Sequence, residues 1–577
     1  MKHLFSCLKT YKKEAILAPL FKLFEACMEL IVPLVVAVIV NKGINGADKS
    51  YIYYGCLILV GFGVLGLAFS LTAQYFAARA AVGTSAELRS RLFRKLQSFS
   101  YSQIDKTGTS AMITRMTSDV NQVQTGVNMT LRLLLRSPII VFGATAMAFV
   151  KDVQTALVFV AVLPLLVAVI IAVMAAGIPL YKKVQSKLDR VYASTRENLT
   201  GVRVIRAFCK EQSEVSEFDV RNRELCKKQQ KSGFVSALMN PVTYVLVNVA
   251  VIALVFVGAL RVDGGAIEQG DVIALYSYLS IILVELIKLA NYVFTVTKAV
   301  SCQKRLAEVL NDEGEPSVTT EDDKPVGDSA VLFDGVSFTY AGGGAPALSD
   351  ISFAVKQGET VGVLGGTGSG KSTLVQLIPR FYEASVGDVR VNGVKVGAMP
   401  AETLRERVAI VPQRAVLFQG TIRSNLLWGA GNASEEDLLF ALKIAQAEDV
   451  AEAKGGLDGE IAQEGKNLSG GQRQRLTIAR ALVRKPEILI LDDSSSALDY
   501  ATDAKLRAAL KTVGCTVFIV SQRASSVRHA DKIIVLDDGK AVGIGTHEEL
   551  LSSCSVYQEI FNSQERREEK GGVDDEE

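Results

Sequence analysis

The chain has 577 residues, 49% of them hydrophobic, with a formal net charge of +2 and a mean hydropathy of +0.26. That length exceeds what one hydrophobic core supports, so at least two domains are expected, and the apolar excess points to a membrane protein. The near-neutral balance does not suggest a nucleic-acid partner, and it hides an asymmetry, with apolar runs in the first half and charges in the long loops and the second half.

The opening residues, MKHLFSCLKTYKK, are basic and mildly amphipathic, and no short apolar run with a small-residue cleavage site follows. They predict a retained interfacial helix. Six apolar stretches come next, centred on residues 30–40, 51–71, 137–150, 156–180, 242–260 and 272–294. Each is long enough, at about 20 residues, to cross roughly 30 Å of hydrocarbon as helix. The short loops between them carry few basic residues (Lys42, Lys49, Lys151, Arg261). The two long ones hold Arg89, Arg91, Arg94, Lys95, Arg115, Lys182, Lys183, Lys187, Arg203, Arg206, Lys227 and Lys228. Positive charge marks the cytoplasmic side, so both termini and both long loops are placed there, in a multi-pass protein of a bacterial inner membrane.

The long loops AELRSRLFRKLQSFS and VQSKLDRVYASTRENLTGVRVIRAF have helical apolar spacing and no proline, so the membrane helices are expected to continue beyond the bilayer. Turns are expected near DKTGTSAM (105–112) and KEQSEVSEF (210–218). Eight cysteines lie scattered without a C-x-x-C pair or a histidine beside them, which favours reduced thiols over a metal site.

Around residues 311–330 the sequence turns acidic and Pro/Gly/Ser-bearing, as interdomain linkers do. Strand-like runs VLFDGVSFTY, TVGVLG, RVAIVP, ILILDD, TVFIVS and KIIVLDDG then alternate with helical patterns. The organisation is multidomain: an all-α six-helix membrane domain over 1–310, the linker, an α/β P-loop nucleotide-binding domain over 331–563, and an acidic tail over 564–577 expected to be disordered.

LGGTGSGKST follows the strand TVGV and precedes an apolar helix, the context that gives a G-x-x-x-x-G-K-S pattern its meaning. Gly365, Gly368 and Gly370 let the backbone curl so that N–H groups face phosphate oxygens. Gly366, Thr367, Ser369 and Thr373 complete the cradle, Lys371 reaches the outer phosphates and Ser372 is placed for Mg²⁺. Asp492, ending ILIL, supplies the acidic contact to the hydrated metal. Further on, NLSGGQRQRLTIARAL sets Ser469, Gly470, Gly471 and Gln472 at a helix start, a second anion-binding device. One ATP cannot be held by both from one chain, so a dimer is the economical explanation.

With these residues the chain resembles an ATP-binding cassette (ABC) half-transporter of the exporter type over essentially its whole length, to the closing GTHEELL. The resemblance implies that two nucleotide-binding domains sandwich two ATP molecules. It implies that Tyr340 stacks on adenine, that Gln413 links Mg²⁺ to the membrane domain, and that Ser469 to Gln472 form the signature facing nucleotide on the partner. It further implies that Asp499 lies in the loop facing the other monomer, and that the turns near 105 and 210 are coupling helices.

Two positions depart from the family pattern. Asp493 stands where the family has the Glu that polarises water, withdrawing the carboxylate by one methylene, and a displacement of about 1 Å can cost on the order of 100-fold. Gln522 stands where the family usually has a His, and it cannot become cationic. None of His3, His529 and His547 fits as a substitute. Such degeneracy beside an intact signature matches one half of heterodimeric ABC exporters, which would move an amphipathic drug, peptide or lipid using ATP and Mg²⁺. The alternatives are a homodimeric slow exporter and an ATP-gated channel or regulatory subunit. Inside the membrane region Glu25 and Glu29 share a helix face, as do Glu285 and Lys288, and ionisable groups at such depth are candidates for substrate or proton contact.

Overall fold

The computed structural model describes residues 2–315 and 327–571. The chain divides into two compact units, one formed by Met1–Gln97 and Ser110–Asp312, the other by Ser98–Thr109 and Glu313–Glu577.

In the first unit, α1 (Lys2–Thr10) precedes α2 (Lys12–Val38) and α3 (Lys49–Gln97). After α4 (Tyr101–Thr107), which belongs to the second unit, come α5 (Thr109–Thr114), α6 (Val120–Leu133), α7 (Arg136–Lys151), α8 (Val153–Thr200), α9 (Val202–Ala207), α10 (Glu211–Ala237), α11 (Met239–Asp263) and α12 (Gln269–Asn311). Six segments among the described residues are long and apolar enough to span a membrane, from Lys12–Ile44 to Gln269–Asn311, and all six expected stretches fall within them. The 49 residues of α3 measure about 73 Å, more than twice the hydrocarbon thickness, so the helices do project well past it. Tyr53, Phe142 and Val150 are at least 74% exposed, as side chains facing lipid are. The core of the unit is built from residues such as Phe159, Leu254, Tyr278 and Ile282, on the inner faces of α8, α11 and α12.

The first turn falls within the expected 105–112, at Gly108, and the second sits earlier than the sequence suggested. Ser100 and Gln103 form a reciprocal capping box that starts α4, and Gly108 at φ 76° ends it. The second turn is α9, closed by Cys209 at φ 50°; KEQSEVSEF is instead the start of α10, where Glu211 and Glu214 complement the helix dipole.

The second unit carries β1 (Ser329–Phe338), β2 (Leu348–Lys356), β3 (Thr360–Gly365), α13 (Lys371–Leu377), β4 (Val386–Val391) and β5 (Val394–Lys395). Next come α14 (Ala401–Arg407), β6 (Val408–Val411), β7 (Gly420–Thr421), α15 (Ile422–Leu426), α16 (Glu435–Ile444), α17 (Glu448–Ala453), β8 (Glu460–Ile461) and α18 (Gly470–Val483). The chain closes with β9 (Ile488–Asp492), α19 (Tyr500–Leu510), β10 (Thr516–Ser521), α20 (Ala524–Val527), β11 (Lys532–Asp537), β12 (Lys540–Gly545), α21 (His547–Ser553) and α22 (Ser555–Gly571).

A six-stranded sheet in the order β12-β11-β3-β10-β9-β6 is parallel except for β12, and a second sheet, β2-β1-β4-β5, is antiparallel. β9 and β10 are buried along their whole length, which is why they read as unbroken apolar runs. The sequence reading missed β2, β4 and β12, whose partly buried, charge-interrupted runs are a weaker signal, and the two-residue strands β5, β7 and β8. Of the expected linker, residues 316–326 lie outside the described residues. The expected disordered tail begins differently: residues 564–571 continue α22, because Tyr557, Ile560 and Phe561 pack its preceding turns onto the core. Residues 572–577 lie outside the described residues.

Candidate active site

β3 ends at Gly365 and α13 begins at Lys371, so the residues between them must reverse direction tightly. Gly368 (φ 83°) and Gly370 (φ 95°) adopt left-handed conformations, and a Cβ on Gly370 would sit 2.8 Å from the Ala347 carbonyl oxygen. The Lys371 ammonium donates to the Gly365 and Gly366 carbonyls over 2.9 and 2.5 Å, which fixes the curl of the loop.

One residue on, Ser372 Oγ donates to Asp492 Oδ1 over 2.8 Å. Asp492 closes β9 and is nearly fully buried. Burial pushes its carboxyl up against the lowering effect of the Ser372 hydrogen bond, and burial pushes the Lys371 ammonium down. Both shifts disfavour isolated charge, so a polyphosphate together with a divalent cation suits this pair. The donors fit that cation: a hydroxyl and a carboxylate are hard oxygen ligands, and Mg²⁺ sites use one or two carboxylates completed by substrate phosphates.

Asp493 leaves the strand abruptly. Its φ is 47°, its N–H donates to the Val520 carbonyl over 3.0 Å, and its Oδ2 accepts from Gln413 Nε2 over 3.2 Å. Gln522, exposed just beyond β10, accepts from Thr367 Oγ1 over 3.5 Å. Gln564 of α22 clasps the same segment: its Nε2 donates to the Gln522 carbonyl over 2.8 Å and its Oε1 accepts from the Ala524 N–H over 2.8 Å. A charged, tail-like sequence hid this residue.

Tyr340 is 37% exposed, with its hydroxyl 3.0 Å from Thr373 Oγ1 and its ring edge-on to Tyr382 at 5.2 Å. Tyr382 donates to Asp105 over 2.6 Å, and Tyr101 stacks on Phe381 at 4.2 Å. Burial, then the Asp105 hydrogen bond, hold the Tyr382 hydroxyl well above the usual phenol range. α4 is thereby joined to the aromatic neighbourhood of Tyr340, a link with no local sequence signal.

Ser469 and Gln472 cap α18 reciprocally, with the Gln472 N–H donating to Ser469 Oγ and the Ser469 N–H to Gln472 Oε1. The serine hydroxyl proton stays available. Gly470 has open space where a Cβ would stand, and Gly471 would bring one within 3.0 Å of the Ala497 carbonyl. Asp499 caps α19 by accepting from the Thr502 N–H and Oγ1, both at 2.8 Å. The histidines are elsewhere: His547 pairs with Tyr557, His3 with Asn311, and His529 lines a cavity beside Arg507.

In the membrane unit the four singled-out charges meet around a residue the sequence did not suggest. Arg136 donates to Glu285 and to Glu29, each over 2.6 Å, and lies 4.0 Å from Glu25, which pairs with Lys22. Glu285, 1% exposed, also accepts from Ser137 over 2.9 Å and from Lys288 over 2.8 Å. The cluster joins α2, α7 and α12.

Six spanning segments followed by a P-loop α/β domain, with a capped, glycine-led helix start at α18, define a membrane-bound transport ATPase. Residues 15–286 match the family model of the ABC transporter transmembrane region, and residues 348–496 match that of the ABC transporter. The uncharacterized ABC transporter ATP-binding protein YfiB of Bacillus subtilis is 37% identical over 570 residues, covering 98% of this chain and 99% of that protein. An ATP-dependent lipid A-core flippase of Syntrophus aciditrophicus is 30% identical over 492 residues, 84% of this chain and 81% of that one. The structure of a bacterial Atm1-family ABC exporter with ATP bound shares the fold at a TM-score of 0.81, with 23% identity over 96% of this chain and 98% of the other. The chain belongs to the ABC transporter family, with the exporter-type fold, and it is a multi-pass plasma-membrane protein with a cytoplasmic ATP-binding domain.

Proposed function

We propose that this chain is one half of a heterodimeric exporter that moves an amphipathic drug, peptide or lipid out of the cell, and that its own ATP site hydrolyses slowly. The pairing of a short Asp493 and an uncharged Gln522 with an intact Ser469–Gln472 signature in one chain carries this reading. Lys371 and the loop Gly365 to Thr373 bind the phosphates, and Tyr340 offers its exposed face to adenine. Ser372, Gln413 and Asp492 would hold Mg²⁺, which when bound neutralises charge on the phosphate oxygens. Asp493 is a poor base because its carboxylate falls short of the attacking water, and Gln522 adds no positive charge near the γ-phosphate. Ser469, Gly470 and Gly471 serve the nucleotide held by the partner, and Asp499 faces that partner across the dimer. The flippase relative supports an amphipathic cargo.

The test is ATP turnover by the purified chain alone and with its co-expressed partner. Slow turnover alone, rising at least about tenfold on assembly and lost on Ser469→Arg, is expected. Full transporter rates from the chain alone would overturn the reading.

A further inference from the structure

Beside the close approach of α6 and α12, where a Cβ on Gly126 would lie 2.3 Å from that of Ala299, the two helices and α1 enclose a cleft of about 210 Å³. Its walls are apolar, with Phe5 and Leu8 from α1, Val127 and Leu131 from α6, and Tyr292 towards one end. The run along α12 from Tyr292 to Gln303 spans about 16 Å at 1.5 Å per residue, so the cleft is long and narrow. Gln303 is 5% exposed, lines the cleft, and makes no hydrogen bond with any described residue. Its carboxamide is reached from the cleft rather than sealed in the core, so it can hydrogen-bond a molecule that enters.

Charge complements this shape. Lys9, Lys12 and Lys13 are exposed at the end of α1 and the start of α2, and none forms an ion pair with a described residue. Lys9 stands one helical turn beyond Phe5, which with Leu4 and Leu8 lines the cleft from α1, and Lys12 and Lys13 open α2 just after it. With an even number of spans and a cytoplasmic ATP-binding domain, α1 lies at the cytoplasmic membrane surface, where anionic lipid headgroups gather basic segments.

We infer that this cleft is a binding site for one anionic glycerophospholipid of the inner leaflet. One acyl chain fills the groove, the Gln303 carboxamide hydrogen-bonds an ester carbonyl, and Lys9, Lys12 and Lys13 take the phosphate. The site does not depend on what the transporter moves.

Native mass spectrometry of the assembled, delipidated transporter titrated with dioleoylphosphatidylglycerol or dioleoylphosphatidylcholine tests it. One lipid per chain should bind, with the glycerol lipid favoured by about tenfold or more. Replacing Lys9, Lys12 and Lys13 by Gln, at exposed positions that leave folding intact, should remove that preference. Val127→Trp should weaken both lipids about tenfold by filling the groove, and Gln303→Leu should weaken both less. Equal binding of the two lipids by the unaltered transporter would overturn the proposal, as would undiminished binding by a Val127→Trp protein with normal melting temperature. Displacement by free glycerol 1-phosphate would show a headgroup-only anion site and overturn the acyl-chain assignment.

Discussion

Gln413 donates through Nε2 to Asp493 Oδ2 over 3.2 Å, joining the second residue after β6 to the residue that follows the buried Asp492 carboxylate of β9. The contact occupies one oxygen of the short acid and holds it at the edge of the P-loop. It does so on a backbone at φ 47°, a conformation that Asp tolerates better than most side chains.

Asp493→Glu with Gln522→His, made in the assembled transporter, is expected to raise hydrolysis at this site by between about tenfold and 100-fold, since it restores about 1 Å of reach and a cationic partner. Single-turnover assays with the partner's site blocked read it directly. No increase would place the limit in the left-handed backbone of residue 493 rather than in side-chain length.

Arg136→Met should lower stability by about 1–3 kcal/mol, because Glu285, which keeps Ser137 and Lys288, loses its interhelical cation and Glu29 loses its partner. Adding Glu285→Met should recover part of the loss, which thermal melting of both variants in nanodiscs would reveal as non-additivity. An unchanged melting temperature in the single variant would show that the cluster does not hold α2, α7 and α12 together.

Gln564→Ala removes two hydrogen bonds to the backbone around Gln522, each of net value about 1 kcal/mol. Faster amide hydrogen exchange over residues 522–526 is expected, with ATP affinity little altered. Exchange as slow as in the unaltered protein would mean that α22 does not brace this segment.

His547 packs against Tyr557 and Phe561 and its Nδ1 lies 2.6 Å from the Tyr557 hydroxyl. Burial, then the Arg528 charge, push its pKa below the ordinary histidine value of 6.5. The folded state therefore favours the neutral ring: its contribution is fully present above the unfolded pKa and is lost as pH falls through the lower folded value. Melting temperature should drop on acidification from pH 7 through about 6, and His547→Gln should flatten that slope. An identical slope in the variant would remove His547 as the cause.

Helix length, apolar runs and the P-loop were legible in the sequence because each depends on neighbours within a few residues. A run of twenty apolar positions satisfies its own backbone in hydrocarbon as helix, and a G-x-x-x-x-G-K-S run between strand and helix reads as a P-loop. The class of protein, its six spans and the glycine-rich turn between β3 and α13 were readable at that level. The turn at α9 was displaced in the sequence reading because acidic residues suit a helix start as well as a loop, and only the packed chain distinguishes the two.

What tertiary structure alone decided are partnerships across long separations. Arg136 meets Glu285 over 149 positions, Tyr382 meets Asp105 over 277, and Gln564 reaches Gln522 over 42. No periodicity connects such pairs; they arise where helices and strands dock, and desolvation then makes each buried polar group find a partner. The short acid at Asp493 was visible in the sequence, but its left-handed backbone and its bond to Gln413 were set by the sheet edge on which β9 and β6 lie side by side.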